Sequence, residues 1–154
     1  MIDIAPDLAA TLDAVRAVAG QLEDDWWVFG SAGMAMVGVR GLSPPDLDLI
    51  VSERDARRLI MLWKGEVEAS RPSALFRSRL FAKARVAPLP IEIMTHLEVQ
   101  TGDGWQVVLP QTRQANPWRD GFIFTPTASE QAEICRLFGR PKDLARIAAL
   151  EALA

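Results

Sequence analysis

The sequence is poor in the residues on which several kinds of catalytic site depend. It contains one cysteine, Cys135, and one histidine, His96. A single cysteine cannot form an internal disulfide or a cysteine-based zinc cluster, so the composition favours a reducing, cytoplasmic setting. His96 is the only histidine that a Ser-His-Asp or Cys-His mechanism could use, and no nucleophile motif surrounds it. A catalytic site in this chain would therefore have to use other side chains.

The chain also lacks an excess of positive charge and a long apolar run. Its formal net charge is −3, whereas general nucleic-acid binding relies on positive charge to displace phosphate counterions. The longest run without a charged residue, Trp26 to Val39, is interrupted by glycines and is too short to span a bilayer. The N-terminal segment contains Asp3 and Asp7 and lacks the basic start and apolar stretch of a signal peptide. We therefore expect a cytoplasmic protein with no membrane span and no general affinity for nucleic acid.

The hydrophobic content, 49% of 154 residues, is enough for one domain with a substantial core, covering residues 1–154. Hydrophobic periodicity predicts that helices and strands alternate along the first half. In order, the predicted elements are a helix at about residues 6–22, a strand at 26–29, a helix that Ser31 could cap, a strand at 46–51 and a helix at 52–63.

Two helices are predicted near the C-terminus, at about residues 128–153. Thr127 and Glu130 have the spacing of a capping box, and Gly139 suits the end of the helix that they begin. Pro141 then starts the last helix. Its predicted buried stripe consists of Leu144, Ile147, Leu150 and Leu153.

A β-hairpin is predicted in the middle of the chain. Residues 77–86 alternate basic and apolar side chains, which indicates a strand with one basic face, and Ile91 to Thr95 form a second strand. For both apolar faces to meet one core, Val86 should lie opposite Ile91, which places Arg85 opposite Glu92. Shorter strands at 105–109 and 121–124 complete a predicted sheet of about five or six strands.

The chemistry-bearing side chains begin with Asp46 and Asp48. Residues two apart in a strand point to the same face, so these carboxylates project together while Leu47 and Leu49 enter the core. Two adjacent carboxylates repel each other unless a cation lies between them. Mg²⁺ prefers a few carboxylate oxygens together with substrate phosphates, so the pair predicts a metal site that needs a phosphate source nearby.

Gly30 and Ser31 are the candidate for that phosphate site. They stand where a strand passes into a helix, and the start of a helix offers free backbone N–H groups and the positive end of the helix dipole. Glycine allows a close approach to the backbone. A Gly-Ser pair alone is common in tight turns, and an acidic pair alone is common at solvated strand edges. The two together are a much more specific signal.

Together these residues resemble the DNA polymerase beta-like nucleotidyltransferase superfamily, in particular its small bacterial minimal-nucleotidyltransferase branch. The matching parts are Phe29-Gly30-Ser31, Asp46-Leu47-Asp48 and, for a third carboxylate between hydrophobic residues, Ile91-Glu92-Ile93. The similarity covers residues 26–95, and more weakly the Lys142-Asp143 pair near the C-terminus. It implies an α/β (α+β) fold, a mixed β-sheet with helices packed mainly on one face.

The resemblance also implies an activity and roles for residues. A nucleoside monophosphate would pass from a nucleoside triphosphate, ATP by preference, to a hydroxyl acceptor. Asp46, Asp48 and Glu92 would hold two Mg²⁺ ions, and Glu92 could also take the proton of the attacking hydroxyl. The residues implied to contact the triphosphate are Gly30, Ser31, Arg79, Lys83, Arg85 and Lys142, and the basic side chains could instead form a solvated strand face or position an acidic acceptor.

Several alternatives stay open. The acceptor could be a small hydroxylated molecule or a side chain of a partner protein, and a homodimer could supply the part of the cleft that a large C-terminal helical domain gives antibiotic-modifying relatives. The loop 42–45 lacks the basic residue that members commonly carry before the acidic pair. This departure favours a second hypothesis, a noncatalytic binding or regulatory protein such as a toxin-antitoxin component. A third is a structural domain whose acidic pair is accidental.

Overall fold

The computed structural model describes residues 4–64, 66–69 and 73–154. In these ranges helices and strands alternate as the sequence predicts, with additional short strands. The helices are α1 (Pro6–Ala19), α2 (Gly30–Val37), α3 (Glu53–Leu62), α4 (Ala128–Phe138) and α5 (Pro141–Ala152). The strands are β1 (Trp27–Phe29), β2 (Leu47–Ile50), β3 (Val67–Ala69), β4 (Phe76–Arg77), β5 (Leu80–Ala84), β6 (Ile91–Thr95), β7 (Glu98–Thr101), β8 (Gly104–Val107), β9 (Gln114–Trp118) and β10 (Gly121–Thr125).

A mixed central sheet organises the fold. Its strand order is β1-β2-β6-β5-β3, in which β2 and β6 are parallel and the other neighbours are antiparallel. Strands β4, β7 and β8 form a separate three-stranded sheet, and β9 and β10 form a hairpin. This arrangement confirms the predicted α+β fold with a mixed sheet.

The two faces of the central sheet are covered differently. On one face, apolar side chains of α1, α2 and α3 pack against Leu47, Leu49, Ile91 and Ile93, all fully buried. On the other face, part of α4 and the three-stranded sheet pack against Phe29, Ile50 and Met94. The second face is therefore only partly covered, which leaves room for a cavity above the middle strands.

The predicted strand at 77–86 is wrong as a single element, because the chain changes sheets within it. Phe76 and Arg77 pair with β7, and the strand of the central sheet begins only at Leu80. The backbone N–H groups of Arg79 and Leu80 donate hydrogen bonds to the carbonyl and hydroxyl oxygens of Thr95 and thereby start the new pairing.

The predicted register of the hairpin is also wrong, by two residues. Ala84 lies opposite Ile91 and Lys83 lies opposite Glu92, in place of Val86 and Arg85. Because side chains alternate with a period of two, the shift preserves which face each residue occupies. The connection is longer than expected, and the Arg85 N–H donates to the Glu66 carbonyl, outside the hairpin.

Two details of the helices correct the sequence predictions. Ser31 does not cap α2, because Phe29 is the N-cap and makes no side-chain cap hydrogen bond. Leu144 and Leu153 are 52% and 46% exposed, since α5 packs through Leu150 and Ile147. In the part of the chain that the structure describes, no helix is long and apolar enough to cross a membrane.

The predicted capping box at the start of α4 is only half formed. The Thr127 hydroxyl accepts a hydrogen bond from the Glu130 N–H, as predicted. The Glu130 carboxylate, however, accepts from the N–H groups of Gln111 and Thr112 and from the Thr112 hydroxyl. Glu130 therefore fastens the loop before β9 to α4. The helix ends at Gly139 in a left-handed conformation, and α5 begins at Pro141, both as predicted.

Candidate active site

The central sheet brings three carboxylates together on its partly covered face. Asp48 of β2 is the neighbour of Glu92 on the parallel strand β6, and Asp46 lies two residues before Asp48. Carboxylate oxygens of the three residues lie within 4.8 Å of one another. The alternation of strand residues explains the grouping, because Leu47 and Leu49 point to the opposite face and are fully buried there.

Gly30 forms the wall of this cluster. It has a φ of +65°, and a Cβ atom at this position would lie 2.6 Å from Asp48 Oδ2. A side chain there would meet both backbone strain and a steric clash. The strand-to-helix turn and the carboxylate therefore fit together only with glycine, and this contact joins the two halves of the sequence motif.

The electrostatics of the cluster are unfavourable for three free carboxylates. Burial raises the pKa of Asp48 well above its usual value of 3.8, and the neighbouring charges of Asp46 and Glu92 raise it further. The pKa of Asp46 is also raised, first by burial and then by Glu92, while Lys83 and Lys142 oppose the shift. The protein holds these groups close together although their ionised forms repel.

The residues present fit a divalent cation. Asp48 Oδ1 is buried and accepts no hydrogen bond from any residue that the structure describes. A buried acceptor of this kind needs a partner, and hard oxygen donors at close range are the ligands that Mg²⁺ prefers. Asp46, Asp48 and Glu92 could therefore hold a metal ion, which would both pair the orphaned oxygen and relieve the repulsion.

A cavity of about 440 Å³ lies over the carboxylates. This volume is within the usual range for small-molecule sites. The charged part of its lining consists of the acidic cluster and a basic group made of Arg77, Arg140, Lys142 and Arg146. Much of the remaining lining is apolar and includes Phe29, Met34, Phe76, Phe81, Met94, Leu97, Ile134 and Phe138. Acidic, basic and apolar surfaces thus face one space.

Arg140 is held in place by an ion pair and by aromatic rings. Its Nε and Nη2 atoms donate to the two oxygens of Asp143, at 2.6 and 3.0 Å. Its guanidinium carbon lies 4.9 Å from the ring centroid of Phe76 and 5.6 Å from that of Phe138. The pairing and stacking fix the guanidinium at the edge of the cavity, where it can meet an anion at little entropic cost.

The structure brings most of the sequence-predicted site residues to this cavity. Gly30, Ser31, Asp46, Asp48, Glu92 and Lys142 all line it. Lys83 stands beside it, with its Nζ atom 3.7 Å from Glu92 Oε1.

Arg79 and Arg85 do not line the cavity. Arg79 lies 3.3 Å from a carboxylate oxygen of Glu53, in a neighbouring surface pocket with His96. Arg85 is exposed beyond the end of β5. The shifted register moves Arg85 away from Glu92, and Arg79 lies before the first residue of β5.

Polar or charged residues of the lining that the sequence did not indicate include Arg77, Gln131, Arg140 and Arg146. Arg146 follows Lys142 by one helical turn, a spacing that places both on one helix face and could have indicated it. Nothing in the local sequence marks Gln131, which reaches the cavity only through the packing of α4 against α2.

Comparisons with known proteins support the fold. Neither protein-family models nor curated proteins match the sequence. Two solved structures are similar in fold. TM1012 from Thermotoga maritima, a candidate nucleotidyltransferase, matches with a TM-score of 0.67 at 18% identity over 94% of each chain. The lincosamide antibiotic adenylyltransferase LnuA, with lincomycin bound, matches with a TM-score of 0.61 at 15% identity over the full length of both chains. The chain therefore has a nucleotidyltransferase-like fold.

Proposed function

We propose that the chain acts as one nucleotidyltransferase domain, which transfers a nucleoside monophosphate from a nucleoside triphosphate to a hydroxyl acceptor. The observation that carries the proposal is the cluster of Asp46, Asp48 and Glu92, packed against Gly30 and facing basic side chains across one cavity. The likeness to an adenylyltransferase supports ATP as the first donor to test, and its lincosamide ligand supports a small hydroxylated acceptor. A protein acceptor remains a second choice.

The chain's own residues supply binding, orientation and proton transfer. Gly30 and Ser31 line the cavity at the start of α2, and the free backbone N–H groups of a helix start suit phosphate oxygens. Arg140, Lys142 and Arg146 offer cationic partners for the β and γ phosphates. A Mg²⁺ ion held by the three carboxylates would neutralise negative charge on the triphosphate.

The transfer itself is a displacement at phosphorus. The acceptor oxygen forms a bond to the α-phosphorus while the bond from that phosphorus to the bridging oxygen breaks, so pyrophosphate leaves with its electron pair. The proton of the acceptor hydroxyl passes to the Glu92 carboxylate. Glu92 suits this role because it belongs to the cluster and is partly exposed to the cavity.

One contact favours the noncatalytic alternative. Lys83 lies 3.7 Å from Glu92 and already supplies a positive charge to one member of the cluster. A protein that only binds nucleotide, as a regulator or toxin-antitoxin component, would keep Asp46 and Asp48 and could spare Glu92. Turnover, and not binding, separates the two functions.

The first test is calorimetric titration with ATP, GTP, CTP and UTP, with and without Mg²⁺. We expect Mg²⁺-dependent binding by the wild-type protein and its loss in the Asp46→Asn/Asp48→Asn double variant. Asp103→Asn is the matched control, because Asp103 is an exposed carboxylate in the turn between β7 and β8. Binding followed by pyrophosphate release with an acceptor supports the enzyme. Binding without release in a broad acceptor screen supports the alternative, and no binding contradicts both.

A further inference from the structure

The row of charged side chains on the partly covered face of the central sheet continues beyond the acidic cluster. Asp48 of β2 lies opposite Glu92 of β6, and Lys83 of β5 lies opposite Glu92 on its other side. Residues directly opposite each other on neighbouring strands point to the same face, and the strands are about 4.8 Å apart. Glu92 therefore has a carboxylate on one side and an ammonium group on the other.

Lys83 acts on the cluster at short range. Its Nζ atom lies 3.7 Å from Glu92 Oε1, and the two side chains are only 29% and 19% exposed. Burial and then the charge of Glu92 raise the pKa of Asp46, and Lys83 opposes this rise, so its charge reaches a second carboxylate. Glu92 lines the cavity, whereas Lys83 does not. The lysine is thus placed to act on the carboxylates and not on a ligand in the cavity.

The position of Lys83 bears on the number of metal ions. Sites with two divalent ions hold them about 3.5–4 Å apart, so three carboxylates must be shared between the ions. The first ion fits between Glu92 and the two aspartates, which leaves the Lys83 side of Glu92 for a second. An ion bound to Glu92 Oε1 at about 2.1 Å would be at most about 6 Å from the ammonium group. Like charges at this distance repel each other.

We propose that Lys83 takes the place of a second metal ion beside Glu92, so that the acidic cluster binds a single divalent cation. The inference rests on the proposed function and deepens it, because it lowers the number of ions from the two that the sequence resemblance implies to one. Lys83 is then a positioning residue. It holds one oxygen of Glu92 and leaves the other for the ion or for the acceptor.

The experiment counts Mn²⁺ ions, which suit the same oxygen ligands as Mg²⁺ and are detected by electron paramagnetic resonance. The protein is titrated with Mn²⁺ alone, and again with α,β-methylene-ATP, whose bridging carbon prevents cleavage next to the α-phosphorus. We expect one bound ion per wild-type chain in both titrations. Its spectrum should lack the spin coupling that two ions about 4 Å apart would show.

Lys83→Met removes the charge and keeps most of the side-chain length. The variant should bind a second ion, with a coupled spectrum, at least about tenfold more tightly than the wild type does. A unit positive charge about 6 Å from a divalent ion lowers its affinity by about this factor even at the dielectric constant of water. Lys83→Gln is a second neutral variant, so the result does not depend on the folding of one protein.

Two further variants serve as controls. Lys83→Arg keeps the charge, and Arg79→Met removes a charge that pairs with Glu53, so both should bind one ion as the wild type does. A coupled pair of ions in the wild type, no bound ion in the wild type, or a single ion in both neutral variants would contradict the proposal. If the wild type binds one ion and the neutral variants two, but none binds nucleotide, this inference stands and the proposed function is wrong.

Discussion

Neighbouring residues of β2 point into two very different environments. Leu49 enters an apolar core beneath α1, α2 and α3 and is fully buried. Asp48 projects to the opposite face, beside two other carboxylates and with one oxygen unpaired. The same backbone, held by the same hydrogen bonds to β1 and β6, therefore carries both surfaces.

The contrast separates residues that stabilise the fold from residues that the fold supports at a cost. Burial of Leu47, Leu49, Ile91 and Ile93 favours the folded state through the hydrophobic effect. The carboxylates on the other face oppose folding when they are ionised and unpaired, because they lose solvation and repel one another. Natural sites often keep such unfavourable groups for function, and here the stability that the apolar face contributes offsets their cost in free energy of unfolding.

The largest expected effect comes from replacing these two neighbours, which should change stability in opposite directions. Leu49→Ala should lower the free energy of unfolding by about 2–5 kcal/mol, because it leaves a cavity in a tightly packed face. Asp48→Asn, without divalent cations, should raise it at pH 7. Urea denaturation with a chelator present measures both changes.

The pH dependence of the Asp48→Asn effect gives a sharper result. Because the pKa of Asp48 is raised above 3.8, the folded state binds the proton more tightly than the unfolded state does. Wild-type stability therefore falls as the pH rises from 3.8, the pKa in the unfolded state, toward the higher pKa of the folded state. The gain in the variant should therefore be present at neutral pH and vanish below pH about 3.8. A loss of stability at pH 7 comparable to that of Leu49→Ala would instead make Asp48 a structural residue.

A smaller difference in stability, between Gly30→Ala and Gly41→Ala, separates the steric contact of Gly30 with Asp48 from backbone strain alone. Gly30 and Gly41 both have positive φ, at +65° and +75°, but a Cβ atom at Gly41 would meet nothing within 4 Å. Gly41→Ala should cost about 1–2 kcal/mol of stability from strain. Gly30→Ala should cost more, and should also weaken binding of Mg²⁺ and nucleotide. Equal losses of stability and unchanged binding would show that the turn does not shape the acidic cluster.

The smallest expected effect concerns Arg79, a basic residue that does not line the cavity, compared with Lys142, which does. Arg79→Ala should change stability by no more than about 0.5 kcal/mol, since its ion pair with Glu53 is exposed, and should leave nucleotide affinity unchanged. Lys142→Ala should weaken nucleotide binding about tenfold or more, because Lys142 lines the cavity. Calorimetry compares the two variants, and similar affinities for both would remove Lys142 from the site.

Local sequence rules predict the elements best where the side-chain pattern is strong. Both ends of α4 and the start of α5 follow from Thr127, Gly139 and Pro141, and the common face of Asp46 and Asp48 follows from strand alternation. The register of β5 against β6 could not be obtained in this way, because a two-residue shift keeps the same faces and the same core. The observed register also has to allow β5 to pair with β3 on its other edge, which the local pattern does not show.

Site residues that depend on tertiary packing were harder to predict than the motif itself. Arg79 shares the parity of Lys83 along the sequence, but the change of sheet before Leu80 turns it toward Glu53. Arg140 gains its position from the nearby Asp143 and Phe138 and from the ring of Phe76, which comes from a distant part of the chain. Sequence alone shows a basic residue at such a position without showing what it faces.

The parallel pairing of β2 with β6 also affects how the acidic cluster is coupled to folding. Parallel strands require a crossover, here through α3 and the β3–β5 region, so Asp48 and Glu92 meet only after a long loop of chain has closed. The unfolded chain therefore does not contain the cluster. A cation that binds there engages the native state almost exclusively, and by mass action its free energy of binding adds to the stability of the whole sheet.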